Sequence, residues 1–172
     1  MKTNINHKIK NRENANDVIY TPLELVKTHL KIIQPLINDN DIIFDPFYGA
    51  GAYYNLFEFY FKKNNTFDYT EIELKKDFFK YDKEVDIIVS NPPYSILDLV
   101  FEQSVKLKPR IISYLIGINN LTPKRIEFMN SKGYKIINLH ICKVYKWFGM
   151  SIIVLFSKDG ENCINYDRIV YK

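Results

Sequence analysis

The sequence is poor in the features that mark several classes of protein. It has two cysteines, Cys142 and Cys163, at a spacing that suits neither a metal site nor a redox pair. That excludes a disulfide-built scaffold and predicts a reduced, cytoplasmic setting. No apolar run reaches the roughly 18 residues a membrane-spanning helix needs. The opening MKTNINHKIKNRENAND likewise lacks the apolar core of a secretory signal. Neither charge dominates: 24 basic against 20 acidic side chains leave a net charge of +4, too little alone to mark a nucleic-acid binder. Glycine is scarce, with six in 172 residues, while Ile, Asn, Lys and Tyr abound, which we read as compositional bias. The three histidines, His7, His29 and His140, have no mutual spacing that suggests a metal site or a triad, and they receive no role. What is present is ample core material: 47% apolar and 15% aromatic residues suit one ordered domain.

Residues 1–17 show no apolar periodicity and predict a flexible arm, leaving 18–172 as a single domain. Thr21-Pro22-Leu23-Glu24 reads as a helix start, with Thr21 as N-cap, Pro22 at the first helical position and Glu24 completing a capping box. Val26, Leu30, Ile33 and Ile37 follow at helical spacing, and Pro35 ends or kinks the helix. Asp41–Asp45 predicts a short buried strand, Ala52–Lys63 a helix and Thr66–Leu74 a second strand. Val85–Ser90 predicts a buried strand, Ile96–Lys106 a helix and Arg110–Ile116 a strand; Thr122-Pro123 opens a further capped helix. Two last strands, Ile136–Tyr145 and Ser151–Ser157, flank a turn holding Trp147, Phe148 and Gly149. The alternation predicts an α/β fold: a mostly parallel sheet with helices on both faces, closed by a C-terminal antiparallel hairpin.

Such sheets bind ligands beyond the carboxyl ends of their strands, near the switch in strand order. Two unusual segments sit just there. In Asp45-Pro46-Phe47-Tyr48-Gly49-Ala50-Gly51, two glycines let a strand-to-helix turn approach a ligand with no Cβ in the way. A tight turn alone would explain the glycines. The preceding acid, which can hold the turn, and Phe47, which can line a pocket, favour a ligand site. In Asn91-Pro92-Pro93-Tyr94, two prolines remove backbone donors and stiffen the turn, fixing carbonyl oxygens, an amide and a ring at the sheet edge. A simple strand terminator accounts for the prolines but not for their flanking residues.

These motifs, DPFYGAG and NPPY, lie about 40 residues apart, and they resemble those of the S-adenosylmethionine-dependent amino-methyltransferases. That family methylates exocyclic amines, especially N6 of adenine. The resemblance spans Val18 to Phe156, and its motif order is that of the gamma arrangement of DNA adenine-N6 methyltransferases. It implies a Rossmann-like methyltransferase sheet, S-adenosyl-L-methionine as cofactor, DNA as the nucleic-acid partner, and a restriction–modification or mobile-element setting. Cofactor contacts carry over to Tyr20, Thr21 and Pro22, to Asp45, Pro46, Phe47, Gly49 and Gly51, and to Asn91. Glu71 is matched to the ribose hydroxyls, and Asp77 and Phe78 to the cofactor's adenine. Each has an ordinary alternative: Thr21-Pro22 as a helix cap, Glu73 in place of Glu71 on the same strand face, and Asp77 as a surface acid beside Lys75 and Lys76.

The implied chemistry is specific. Adenine N6 is a poor nucleophile because its lone pair is delocalised into the ring. The Asn91 side-chain oxygen and the Pro92 carbonyl are the expected acceptors for its two hydrogens, with Pro93 stiffening the turn. Tyr94 would stack on a base flipped out of its duplex. Trp147 or Phe148, with Phe148 preferred, would form a second wall; Lys124, Arg125, Lys143 and Lys146 are candidate phosphate contacts. The family's DNA enzymes usually carry a separate target-recognition region, which this chain has no room for, and Ala52 stands where Thr is common. Target choice then falls to loops, a separate recognition subunit or a homodimer partner. RNA bases and protein glutamine, methylated at such motifs in related families, are the alternative substrates. A catalytically silent partner subunit is the reading from outside enzymology.

Overall fold

In the computed structural model, which describes residues 21–144 and 149–166, α1 (Leu23–Ile33) buries Val26, His29, Leu30 and Ile33 on one face. Beyond Ile33 the chain tightens into a 3₁₀ turn around Pro35, whose ring removes an N–H that the helix would need. There follow β1 (Ile42–Asp45), a single helical turn α2 (Phe57–Tyr60), β2 (Thr66–Tyr69) and β3 (Ile87–Ser90). The second half comprises α3 (Leu97–Lys106), β4 (Ile111–Gly117), α4 (Pro123–Ser131), β5 (Lys135–Cys142) and β6 (Ser151–Ser157).

The strands form one sheet in the order β2-β1-β3-β4-β6-β5. The first four pair in parallel, and β6 runs antiparallel between β4 and β5. Burial explains why β6, and not β5, joins the parallel part. Every residue of β6 is buried, as suits a strand covered on both faces, whereas β5 buries only Ile136 and takes the edge. Strand alternation divides the core. Ile43, Ile87, Val89, Ile111 and Leu155 face α1, Tyr53 and Phe57. Phe44, Ile88, Ile112, Tyr114, Val154 and Phe156 face α3 and α4. At the opposite edge, the carboxylate of Asp68 accepts from the Tyr69 amide at 2.8 Å and occupies a donor on the outermost strand.

Several sequence expectations are corrected. The helix expected over Ala52–Lys63 is only a 3₁₀ turn, Tyr54–Leu56, leading into α2. Burial of Tyr53, Phe57 and Phe61 against the sheet outweighs the weak helix preference of this aromatic stretch. The strand expected over Thr66–Leu74 ends at Tyr69, because Thr70 turns its hydroxyl onto the Pro46 carbonyl at 2.7 Å. The capping box at α1 does not form: Pro22 is the cap residue with no side-chain bond, and Glu24 pairs instead with Lys27 at 2.7 Å. Thr122 does cap α4, accepting from the Arg125 amide, with Pro123 in its first turn. The remaining strand and helix ends agree within three residues, and Ser151–Ser157 matches at both ends. The expected arm and the sites Tyr20, Lys146, Trp147 and Phe148 lie outside the described residues.

Candidate functional site

The glycine turn leaves β1 at Asp45 and closes with a Gly51 N–H donating to the Tyr48 carbonyl at 2.7 Å. Gly49 (φ 52°) and Gly51 (φ 79°) both take the left-handed conformation that side chains resist. At Gly51 an added Cβ would also lie 2.6 Å from the Asn55 amide nitrogen and 2.7 Å from the Tyr48 hydroxyl, so those side-chain ends would have to move aside. Across the turn, Glu71 is only 8% exposed and accepts from the Gly49 amide at 2.7 Å. Its other oxygen accepts from the Glu73 amide at 3.4 Å, and Glu73 itself is exposed. Of these two acids, Glu71 is the one turned towards the glycines.

Asp45 holds the turn from beneath. It is fully buried, and its Oδ1 accepts from the Ser90 hydroxyl at 2.6 Å and the Phe47 amide at 3.3 Å. Burial pushes its carboxyl up to about 7, against the lowering pull of the Ser90 hydroxyl and the Phe47 amide. The Tyr54 amide also favours the charged form, although Oδ2 meets no partner in hydrogen-bond geometry among the described residues. Ser90 ends β3 and immediately precedes Asn91. One carboxyl therefore ties the glycine turn to the second motif.

That second motif leaves β3, the neighbour of β1, at the same sheet edge. The Asn91 amide donates to the Thr21 hydroxyl at 3.1 Å, so the threonine expected to cap α1 reaches instead to the amide 70 residues away. Pro92 and Pro93 are buried, and Tyr94 opens a 3₁₀ turn ahead of α3. Its half-buried ring lies against the end of β4, 3.7 Å from where a Cβ on Gly117 would stand.

Beside the glycine turn, Pro46, Phe47, Glu71, Asp77, Phe78 and Phe79 line a shallow depression open to solvent. Phe47 and Phe78 meet edge to face at 5.2 Å. Asp77 accepts from the Phe79 amide at 3.0 Å, which fixes its carboxylate at the rim. Aromatic walls, a buried acid and a bare glycine turn suit a flat ring carrying hydroxyl groups. Among the expected phosphate contacts, Arg125 is committed to Asp98 at 2.6 Å and to the Asn120 carbonyl at 2.7 Å, while Lys124 and Lys143 are exposed.

Sequence reasoning missed one buried cluster. His29 is fully buried between the Tyr53 hydroxyl, 2.9 Å from Nδ1, and the Ser113 hydroxyl, 2.6 Å from Nε2. Burial lowers its pKa to about 3, with a smaller push from His140, so the ring is neutral. The available signal was its place between Val26 and Leu30 on the apolar face of α1. Among the described residues, no helix is long and apolar enough to cross a membrane, and no group of His, Cys, Asp and Glu could hold a metal ion.

No protein-family model matches the chain, and no curated protein matches it. Solved structures do. The E. cuniculi Mtq2–Trm112 complex, which methylates the eRF1 translation termination factor, aligns with a TM-score of 0.58 at 16% identity, over 82% of this chain and 98% of that one. An RNA methyltransferase candidate from Pyrococcus horikoshii aligns at 0.55 and 14% identity, over 77% and 82%. A Burkholderia thailandensis N1-methyltransferase, with 1,6-didemethyltoxoflavin and S-adenosylhomocysteine bound, aligns at 0.61 and 8% identity, over 90% and 87%. The fold is thus the Rossmann-like one of S-adenosylmethionine-dependent methyltransferases.

Proposed function

We propose that the chain is an S-adenosyl-L-methionine-dependent methyltransferase acting on a planar amine or amide nitrogen held by Asn91-Pro92-Pro93-Tyr94. One observation carries this reading: the glycine turn and the Asn91 turn leave adjacent parallel strands at one edge, joined by the Asp45–Ser90 bond of 2.6 Å. Cofactor and acceptor sites on these turns would be neighbours.

The lining residues fit the cofactor. Phe47, Phe78 and Phe79 would flank its adenine, with Asp77 as acceptor for the ring amine. Glu71 would accept from the ribose hydroxyls while keeping its bond to the Gly49 amide. Gly49 and Gly51 leave the turn bare for the methionine part, towards which Thr21 and Pro22 also stand. When bound, S-adenosylmethionine supplies a methyl group on positively charged sulfur. Asn91 Oδ1 and the Pro92 carbonyl would accept the two hydrogens of the target nitrogen, localise its lone pair, and stabilise the positive charge that develops there. Asp45 acts behind these groups, as a positioning residue.

The comparisons favour an RNA base or a protein glutamine as substrate, since an RNA methyltransferase candidate and an enzyme that modifies a termination factor share the fold. Adenine N6 in DNA is the second reading. It rests on the motif order and on Thr21 reaching Asn91 from the segment before the cofactor motif. One neighbour is a complex with a Trm112 subunit, which supports a partner subunit for this chain as well. Incubation with methyl-labelled S-adenosylmethionine and separate RNA, protein and DNA fractions tests the assignment. Label is expected in the RNA or protein fraction; label only in DNA would reverse the order of the two readings, and none in any fraction would refute both.

A further inference from the structure

The buried cluster around His29 joins three elements that the proposed reaction must keep in register. His29 comes from α1, Ser113 from the middle of β4, and Tyr53 from the end of the glycine turn, two residues after Gly51. His29 and Ser113 are fully buried, and Tyr53 is 3% exposed, so none of their polar atoms can exchange a partner for water. The imidazole also meets the Tyr53 ring edge-on, with centroids 5.4 Å apart and planes at 88°. A neutral imidazole has one donor and one acceptor nitrogen. One hydroxyl must therefore donate to the ring while the other accepts from it, and both are held in a defined direction. Tyr53 in turn lies close enough to Asp45 and Tyr94 to feel both electrostatically.

We propose that His29 is a positioning residue for the glycine turn, clamping its Tyr53 end to α1 so that Gly49 and Gly51 stand ready for the cofactor. The inference rests on the cofactor reading above for its consequence, but not for the clamp itself. The alternative is a histidine that merely fills and satisfies the core. The two nitrogens separate these roles. An asparagine at position 29 places its terminal polar atoms near the former Nδ1 and keeps a partner for Tyr53. A glutamine reaches the former Nε2 and keeps a partner for Ser113 instead.

The test compares His29→Asn, His29→Gln, Tyr53→Phe and Ser113→Ala at a temperature where thermal melts show each folded. Two readouts are used: calorimetric binding of S-adenosylhomocysteine, and amide hydrogen exchange of residues 47–56 without ligand. His29→Gln and Tyr53→Phe are expected to weaken binding about tenfold and to speed exchange in the turn. Their combination should be no worse than either alone. His29→Asn and Ser113→Ala should stay within about threefold of wild type, whatever they do to the melting temperature. Equal losses for His29→Asn and His29→Gln, or unchanged exchange in both, would overturn the clamp. Wild-type protein that binds no S-adenosylhomocysteine would refute the cofactor reading, while the exchange data would still decide the clamp.

Discussion

Replacing Asp45 by Asn should change how stability depends on pH. The fully buried carboxyl titrates at about 7 in the folded chain, against an ordinary value of 3.8. Its neutral form is therefore favoured by folding. The folded state holds this proton between pH 3.8 and about 7 while the unfolded state has released it, so unfolding becomes easier as pH rises through that window. Three pH units at 1.36 kcal/mol each make about 4 kcal/mol, an upper figure for the stability lost on ionisation. Asn keeps an oxygen for the Ser90 hydroxyl and the Phe47 amide but cannot ionise. Its buried NH₂, placed where Oδ2 finds no partner, costs about 1–3 kcal/mol at every pH. The prediction accordingly concerns the difference between the two proteins. Wild type should lose up to about 4 kcal/mol relative to Asp45→Asn between pH 4 and pH 8. Urea unfolding midpoints at pH 4.5, 6 and 8 measure it, and the variant removes from the comparison the opposite trend of His29. That ring, held near 3 by burial, destabilises the fold as pH falls below 6.5. A constant gap across the range would refute the argument.

Three further outcomes are expected. Asn91→Ala should abolish methyl transfer while cofactor affinity, read by calorimetry, changes less than about threefold, because the lost acceptor serves the target nitrogen. Gly51→Ala forces a side chain into φ 79° against Tyr48 and Asn55. It should lower stability by about 1–3 kcal/mol in denaturant melts and weaken cofactor binding. Glu71→Ala should weaken S-adenosylmethionine binding at least about tenfold, since it removes both the acid at the depression and the clasp on the Gly49 amide; unchanged affinity would move the ribose contact elsewhere.

The parallel sheet and its closing hairpin were legible because apolar runs such as Ile87–Ser90 and Ser151–Ser157 have no other use in a domain of this size. The two motif turns were legible because their residue types are rare in combination. The role of Thr21 was not, because a cap and a contact with Asn91 need the same hydroxyl, and only the fold decides which is nearer. The short α2 escaped because burial of Tyr53, Phe57 and Phe61, not local preference, sets the path of the chain there. Asp45 was expected at the cofactor. It was also read as holding the glycine turn, as its bond to the Phe47 amide does; its second bond crosses to Ser90 on the next strand, 45 residues on, a pairing that no local pattern encodes.

The central claim is that the Asn91 turn directs a methyl group to nitrogen. Mass spectrometry of the modified substrate, after reaction of wild type and Asn91→Ala with S-adenosylmethionine, tests it most directly. An N-methylated base or glutamine formed by the wild type and absent with the variant is the result this account predicts. Methyl groups on carbon or oxygen, or equal N-methylation by the two proteins, would contradict it.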